Sequence, residues 1–243
     1  MIAGTPSTVS QAPSPGIIAA AAAPHRSRTF SPPLLSGLLV ILPVFIQAPW
    51  VRHDPFSAAA FTAVLLAVAL LLAHSPDPER RRAGELRVGF CGSWLAGSMF
   101  WGWARLHPVC HLPVEAFALP LAVAGLGSRW RLACGFYLGS LIGTAVTDAA
   151  IALTGLMPLW PQALAAAPQQ AGDLLRQGAA AALQPAALLV MAGLGGSLIQ
   201  LSRWCWRRGE CGRVAGAALA TTLAVDGLFL LLALLAPRLS GLV

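Results

Sequence analysis

Long apolar runs separated by short polar or basic turns dominate the chain from Pro33 onward. A run near 20 residues suits an α-helix that crosses a hydrocarbon core about 30 Å thick. Read this way, the pattern predicts seven spans, over 33–50, 56–74, 88–103, 110–126, 134–155, 179–202 and 214–236. Arg52, His53, Asp54 and Pro55 form a tight polar turn that folds the first two spans into a hairpin. Residues 75–87 (SPDPERRRAGELR) are expected as a charged loop, 128–131 as a basic turn, and the RWCWRRGECGR segment as a basic loop. The Pro-, Gln- and Ala-rich connection over 156–178 is expected to rest on the membrane surface.

Residues 1–31 break the pattern. They are rich in Pro, Ser, Thr and Ala, and their one apolar patch, 17–23, is too short and lacks the preceding basic residue of a signal peptide. The expectation is a disordered N-terminal tail followed by a single transmembrane helical domain over 32–243. The fold class is all-α, a polytopic helical bundle.

Composition agrees with this reading. A chain that is 57% hydrophobic and 10% charged fits neither a soluble core nor a disordered polymer. A formal charge of +7 would suggest nucleic acid in a soluble domain. Here every positive residue is arginine, and most lie in short turns between apolar runs. Topology accounts for the charge, and no nucleic-acid partner is expected.

The seven-span pattern puts twelve arginines on one side of the membrane and four on the other, the latter being Arg52, Arg105, Arg176 and Arg238. The positive-inside rule therefore predicts a cytoplasmic N-terminus and an external C-terminus. Tryptophans follow the same division: Trp50, Trp101, Trp103 and Trp160 fall at outer ends, and Trp130, Trp204 and Trp206 at inner ends. Trp94 alone falls mid-helix. The five cysteines show no zinc-ligand or redox spacing and are read as packing residues.

Candidate chemistry lies with the ionisable residues inside the spans, because a charge at mid-bilayer costs roughly 2.5–3.5 kcal/mol even on lenient scales. Glu115, Asp148 and Asp226 are the three carboxyls so placed, all at mid-depth or in the outer half. Tyr137, Ser140, Thr144 and Asp148 share one helix face, while Gly135, Gly139, Gly143 and Thr147 form a close-packing stripe on another. Gly89, Ser93 and Gly97 repeat that small-residue pattern in the third span. The structural alternative is local bonding of Asp148 to Thr144 and of Asp226 to Thr222, each one turn earlier, or simple interhelical glue.

His107, His111 and Glu115 in HPVCHLPVE recur at four-residue spacing and would share a face if the helix ran through Pro108 and Pro113. Such a face suits a metal, a pigment or haem ligand through His107 and His111, or a proton relay. Its plain alternative is a solvated His107 and a one-turn hydrogen bond between His111 and Glu115. No serine nucleophile with its base, Asp-rich prenyl-diphosphate motif or Gly-rich phosphate loop is present. The pattern names neither an enzyme nor a cofactor.

The blocks LPVFIQAPWVR, GFCGSWLAGSMFWGW, HLPVEAFALPLA and FYLGSLIGTAVTD resemble the signature blocks of an uncharacterised integral-membrane family of cyanobacteria, over about residues 35–160. The resemblance implies a plasma or thylakoid membrane and supplies no reaction. Two functional classes follow. One is a small transporter, channel or solute-binding membrane subunit using Glu115, Asp148 and His111. The other is a non-catalytic partner that docks photosynthetic membrane complexes or holds a pigment.

Overall fold

The computed structural model describes residues 31–235, so the expected N-terminal tail, Arg26, Arg28 and Arg238 lie outside the described residues. Within these bounds the chain is all-helical. It forms α1 (Pro32–His53), α2 (Pro55–Ala73), α3 (78–104), α4 (Pro108–Gly125), α5 (Arg131–Leu153), α6 (Leu159–Ala165), α7 (Pro168–Ala182), α8 (Pro185–Trp206) and α9 (Gly209–Leu235). By length and apolarity α1, α2, α4, α5, α8 and α9 are able to cross a membrane. Their outer surfaces carry large apolar side chains such as Phe56, Leu71, Leu121 and Leu189, each more than 70% exposed. That surface is built for lipid, and the chain is a multi-pass membrane protein.

Local chemistry sets the helix starts. Asp54 caps α2 by accepting from the backbone N–H groups of Phe56 (3.1 Å) and Ser57 (3.2 Å), with Pro55 at the first helical position. Asp77 does the same for α3, accepting from Glu79 N–H at 2.9 Å ahead of Pro78. That cap corrects the expected 75–87 loop, because Pro78 to Arg87 is already helical. Glu79, Arg80, Arg81, Arg82 and Ala83 are good helix formers with an acid in the first turn, and charge does not prevent a helix outside the hydrocarbon.

The basic segment after the sixth span is likewise mostly helical. Arg203 to Trp206 end α8, and Gly209 at φ 78° begins α9 after a turn of two residues. The helix expected from Ala179 begins at Pro185 instead, because Ala179–Ala182 closes α7. The 156–178 connection contains two helices. Of these, α7 buries Ala171, Ala179 and Ala182 and packs on α6, α8 and α9, so it is part of the bundle.

The third expected span, 88–103, belongs to α3 and is largely enclosed by other helices. It packs against α1, α2, α4 and α5, and buries Leu86, Phe90, Trp94, Ser98 and Phe100. Its low apolarity follows from this position, since a helix surrounded by protein does not need a lipid-facing side chain at every turn. Glycine makes that enclosure tight. A Cβ on Gly89 would lie 2.2 Å from the Ala133 carbonyl oxygen of α5, and one on Gly84 2.2 Å from the Ala73 nitrogen of α2. Trp94, placed mid-helix by the sequence, is the centre of the core. It meets Trp50, Phe61 and Phe90 at ring-centroid distances of 5.7–6.1 Å, and its indole N–H donates to the Ala58 carbonyl at 2.9 Å.

A π-helical turn over Pro43–Gln47 widens α1 and aims the Gln47 side chain at α3. Its amide donates to the Trp94 carbonyl and, at 2.7 Å, to Ser98 Oγ, all buried. The glycine stripe of α5 faces α9: a Cβ on Gly139 would lie 2.8 Å from the Ala215 carbonyl oxygen, and one on Gly143 2.7 Å from Thr222 Oγ1. On one face of the bundle, Arg82 pairs with Glu210 at 3.6 Å and Arg129 approaches His74 at 3.3 Å, joining the arginine-rich turns. The opposite face carries Arg52, Arg105 and Arg176.

Candidate functional site

Breaks in α4 place the site. It passes through a 3-10 turn at Pro108–Cys110, a short α-helix at His111–Glu115, a second 3-10 turn at Ala116–Ala118, and a final α-helix at Leu119–Gly125. Pro120 has no N–H for the carbonyl four residues earlier, so regular bonding fails at Ala116. A broken helix within a membrane must find other partners for its backbone. Tyr137 of α5 supplies them: its phenol donates to the Glu115 carbonyl and accepts the Ala118 N–H at 3.1 Å.

The clamp holds Glu115 against α5, where Thr144 Oγ1 donates to Glu115 Oε2 at 3.3 Å. His111, one turn before Glu115, reaches the same helix. Its Nδ1 lies 2.9 Å from Asp148 Oδ1 and its Nε2 3.7 Å from Glu115 Oε1. With Asp148 ionised, Nδ1 is the donor of this hydrogen bond. The imidazole thus stands between two carboxylates from different helices, and all three side chains are about 15% exposed. Its ring stacks on Phe100 of α3 with centroids 4.2 Å apart, and Trp160 of α6 stands 6.2 Å away. Trp160 is fixed in turn, donating from Nε1 to the Arg105 carbonyl at 2.9 Å.

Asp226 of α9 is tied to the other side of α5. Thr147 Oγ1 donates to Asp226 Oδ2 at 2.7 Å. Three carboxyls and one imidazole therefore surround the last two turns of α5. Asp148 stands five residues before the helix ends at Leu153, about 8 Å at 1.5 Å per residue. The cluster sits toward the arginine-poor face.

The expected residues divide. Glu115, Asp148, His111 and Thr144 come together directly, Tyr137 joins through the backbone of α4, and Asp226 joins through Thr147. Ser140 makes no side-chain hydrogen bond among the described residues. His107 is exposed in the turn before α4, and the break at Pro108 removes it from the face of His111, so the shared His107, His111 and Glu115 face does not form. The one-turn bonds expected for the aspartates are also replaced. Thr144 serves Glu115, and Thr222 bonds the Ala218 carbonyl at 3.1 Å.

The sequence reading missed three participants. Thr147 counts as a packing residue in the glycine stripe, Phe100 as an ordinary apolar residue, and Trp160 as an interfacial anchor; no spacing rule reveals contacts between α3, α5 and α6. Among the described residues, no group of three or more His, Cys, Asp or Glu is arranged to hold a metal ion. The cluster is equipped to share and pass a proton, since it combines acceptors on two helices with a donor between them.

A family model described as a protein of unknown function (DUF3120) matches residues 36–234. The chain belongs to that family. The match takes in α8 and α9, and hence Asp226, beyond the part that the sequence blocks cover. No curated protein and no solved structure matches the chain.

Proposed function

We propose that this DUF3120 protein is a small membrane transporter or channel subunit in which His111, Glu115 and Asp148 carry a proton as the coupling or conducted species. The observation behind the reading is the His111 imidazole held between Asp148 and Glu115, on two different helices, inside a bundle whose surface is apolar. Structural glue needs one hydrogen bond. A doubly engaged imidazole with both carboxylates also bonded or shielded is costly to assemble in a membrane, and such groups mark ion pathways by default. Movement of α4 against α5 would exchange the partner of His111, and its proton could then pass from one carboxyl to the other. Tyr137 and Thr144 set the position of Glu115, and Thr147 that of Asp226.

In this reading the N-terminus is cytoplasmic, because the arginine-rich face carries the 80–87, 129–131 and 203–213 arginines. The site then opens toward the outer side of a cyanobacterial plasma or thylakoid membrane. The rival role, a pigment-holding assembly partner, is supported less well: His111 has both ring nitrogens facing carboxylates, which leaves, of the two candidate histidines, only the exposed His107, outside the cluster, as a ligand for a metal or pigment.

The test is proton flux in liposomes containing the purified protein, with Asp148→Asn and His111→Gln compared at matched folding by size-exclusion profile and melting temperature. Loss of flux in both well-folded variants is the expected result. Flux equal to the parent protein in both would overturn the reading. Stoichiometric pigment in protein purified from its own membranes would instead favour the assembly role.

A further inference from the structure

Away from the carboxyl cluster, a groove of about 270 Å³ lies between α8 and α9. Its walls are Leu198, Ile199, Leu219, Ala220 and Leu223, with Ser202 and Arg203 at one end. Ile199, Arg203 and Ala220 are exposed, so the groove opens outward from the bundle. The volume lies below the roughly 300–1,000 Å³ of sites that enclose a drug-sized molecule, and the walls run for only about one helical turn. An apolar chain segment entering from the side fits better than an enclosed solute.

Charge identifies the rest of the occupant. Arg203 is in the last turn of α8, at the arginine-rich face, where headgroups meet the hydrocarbon. Like most arginines of that face it has no acidic partner among the described residues, and it is the one that lines the groove. The Ser202 hydroxyl is already committed, donating to the Gly216 carbonyl at 2.8 Å. One free guanidinium at the mouth of an apolar groove matches a single anionic group attached to a hydrocarbon tail.

We propose that the α8/α9 groove is a binding site for an anionic phospholipid, its acyl chain against Ile199, Ala220 and Leu223 and its phosphate on Arg203. This site is separate from the His111 cluster and does not depend on its function.

Native mass spectrometry of the detergent-purified full chain, titrated with phosphatidylglycerol or phosphatidylcholine, tests it. The parent protein should retain phosphatidylglycerol preferentially. Arg203→Gln should weaken that lipid by about fivefold or more, the effect of losing one well-placed arginine. Ala220→Trp, which fills the groove from its rim, should weaken both lipids. Arg207→Gln removes the same charge from a residue that does not line the groove, and should have little effect. Equal losses from Arg203→Gln and Arg207→Gln would mean diffuse surface attraction and overturn the proposal, as would retention of phosphatidylglycerol in Ala220→Trp. Displacement of the lipid by millimolar inorganic phosphate would also overturn it, by showing that the acyl chain contributes nothing.

Discussion

Thr147 Oγ1 lies 2.7 Å from Asp226 Oδ2, which makes a residue of the glycine stripe the link between α5 and the carboxyl of α9. Hydrogen bonds between membrane helices average about 0.6 kcal/mol and reach about 1.7. Thr147→Val should lower stability within that range, measured by thermal unfolding in detergent. Asp226→Asn retains an acceptor oxygen and should melt close to the parent protein. A Thr147→Val protein as stable as the parent would mean that the bond is not made.

Tyr137 is a second such link, and its role is to complete a broken backbone. Phenylalanine at this position would fill the same space but leave the Glu115 carbonyl and the Ala118 N–H without their side-chain partner. An unsatisfied buried polar group costs about 1–3 kcal/mol. Tyr137→Phe should therefore destabilise the fold by about that much and speed amide exchange at Ala118. Exchange at Ala118 as slow as in the parent protein would show that the phenol does not hold the turn.

Much of this architecture could be read from the sequence. The apolar runs place α1, α2, α4, α5 and α9 to within a turn or so and α8 less closely, its start lying six residues past Ala179, because lipid demands length and apolarity from each helix separately. Loops were harder. The 75–87 and 203–213 segments look like loops because they are charged, yet Asp77, Pro78 and Gly209 make most of their residues helical. The site was legible in part: intramembrane Glu115, Asp148 and Asp226 stand out by cost alone, and His111 by its spacing from Glu115. Their pairing was not, since it depends on where Pro120 breaks α4 and Tyr137 holds that break against α5, while a separate break at Pro108 removes His107. Trp94 shows the same limit. Its mid-helix position departs from the interfacial pattern, but only the packing of α1, α2 and α3 makes it the core.

The Asp54 carboxyl titrates at the turn between α1 and α2. Its hydrogen bonds from Ser57 and Phe56 hold its pKa below the ordinary value of 3.8. A depressed pKa means that the capped, ionised form supports the fold above the ordinary carboxyl range, and that this support is lost as pH falls through the lower folded value. Asp54→Ala should therefore reduce stability at neutral pH, and the difference from the parent protein should shrink on acidification below pH about 4. A difference that stays constant from neutral to strongly acidic pH in thermal melts would show that the cap's charge has no part in it.

Glycine substitutions separate helix contacts from lipid-facing surface. At Gly89 a methyl group would meet the Ala133 backbone at 2.2 Å, and at Gly139 the Ala215 backbone at 2.8 Å. Backbone cannot rotate aside as a side chain does, so the helices must separate. Gly89→Ala and Gly139→Ala should each lose roughly 1–3 kcal/mol or more by overpacking, with the larger loss at Gly89. Gly196 of α8 has nothing within 4 Å of the same position. Gly196→Ala should be neutral or stabilising by up to about 1 kcal/mol, because alanine is the better helix former. Melting temperatures of the three variants in one detergent provide the comparison. If Gly89→Ala were as stable as Gly196→Ala, the close approach of α3 to α5 would be refuted, and with it the enclosed position of α3 that accounts for its weak apolarity.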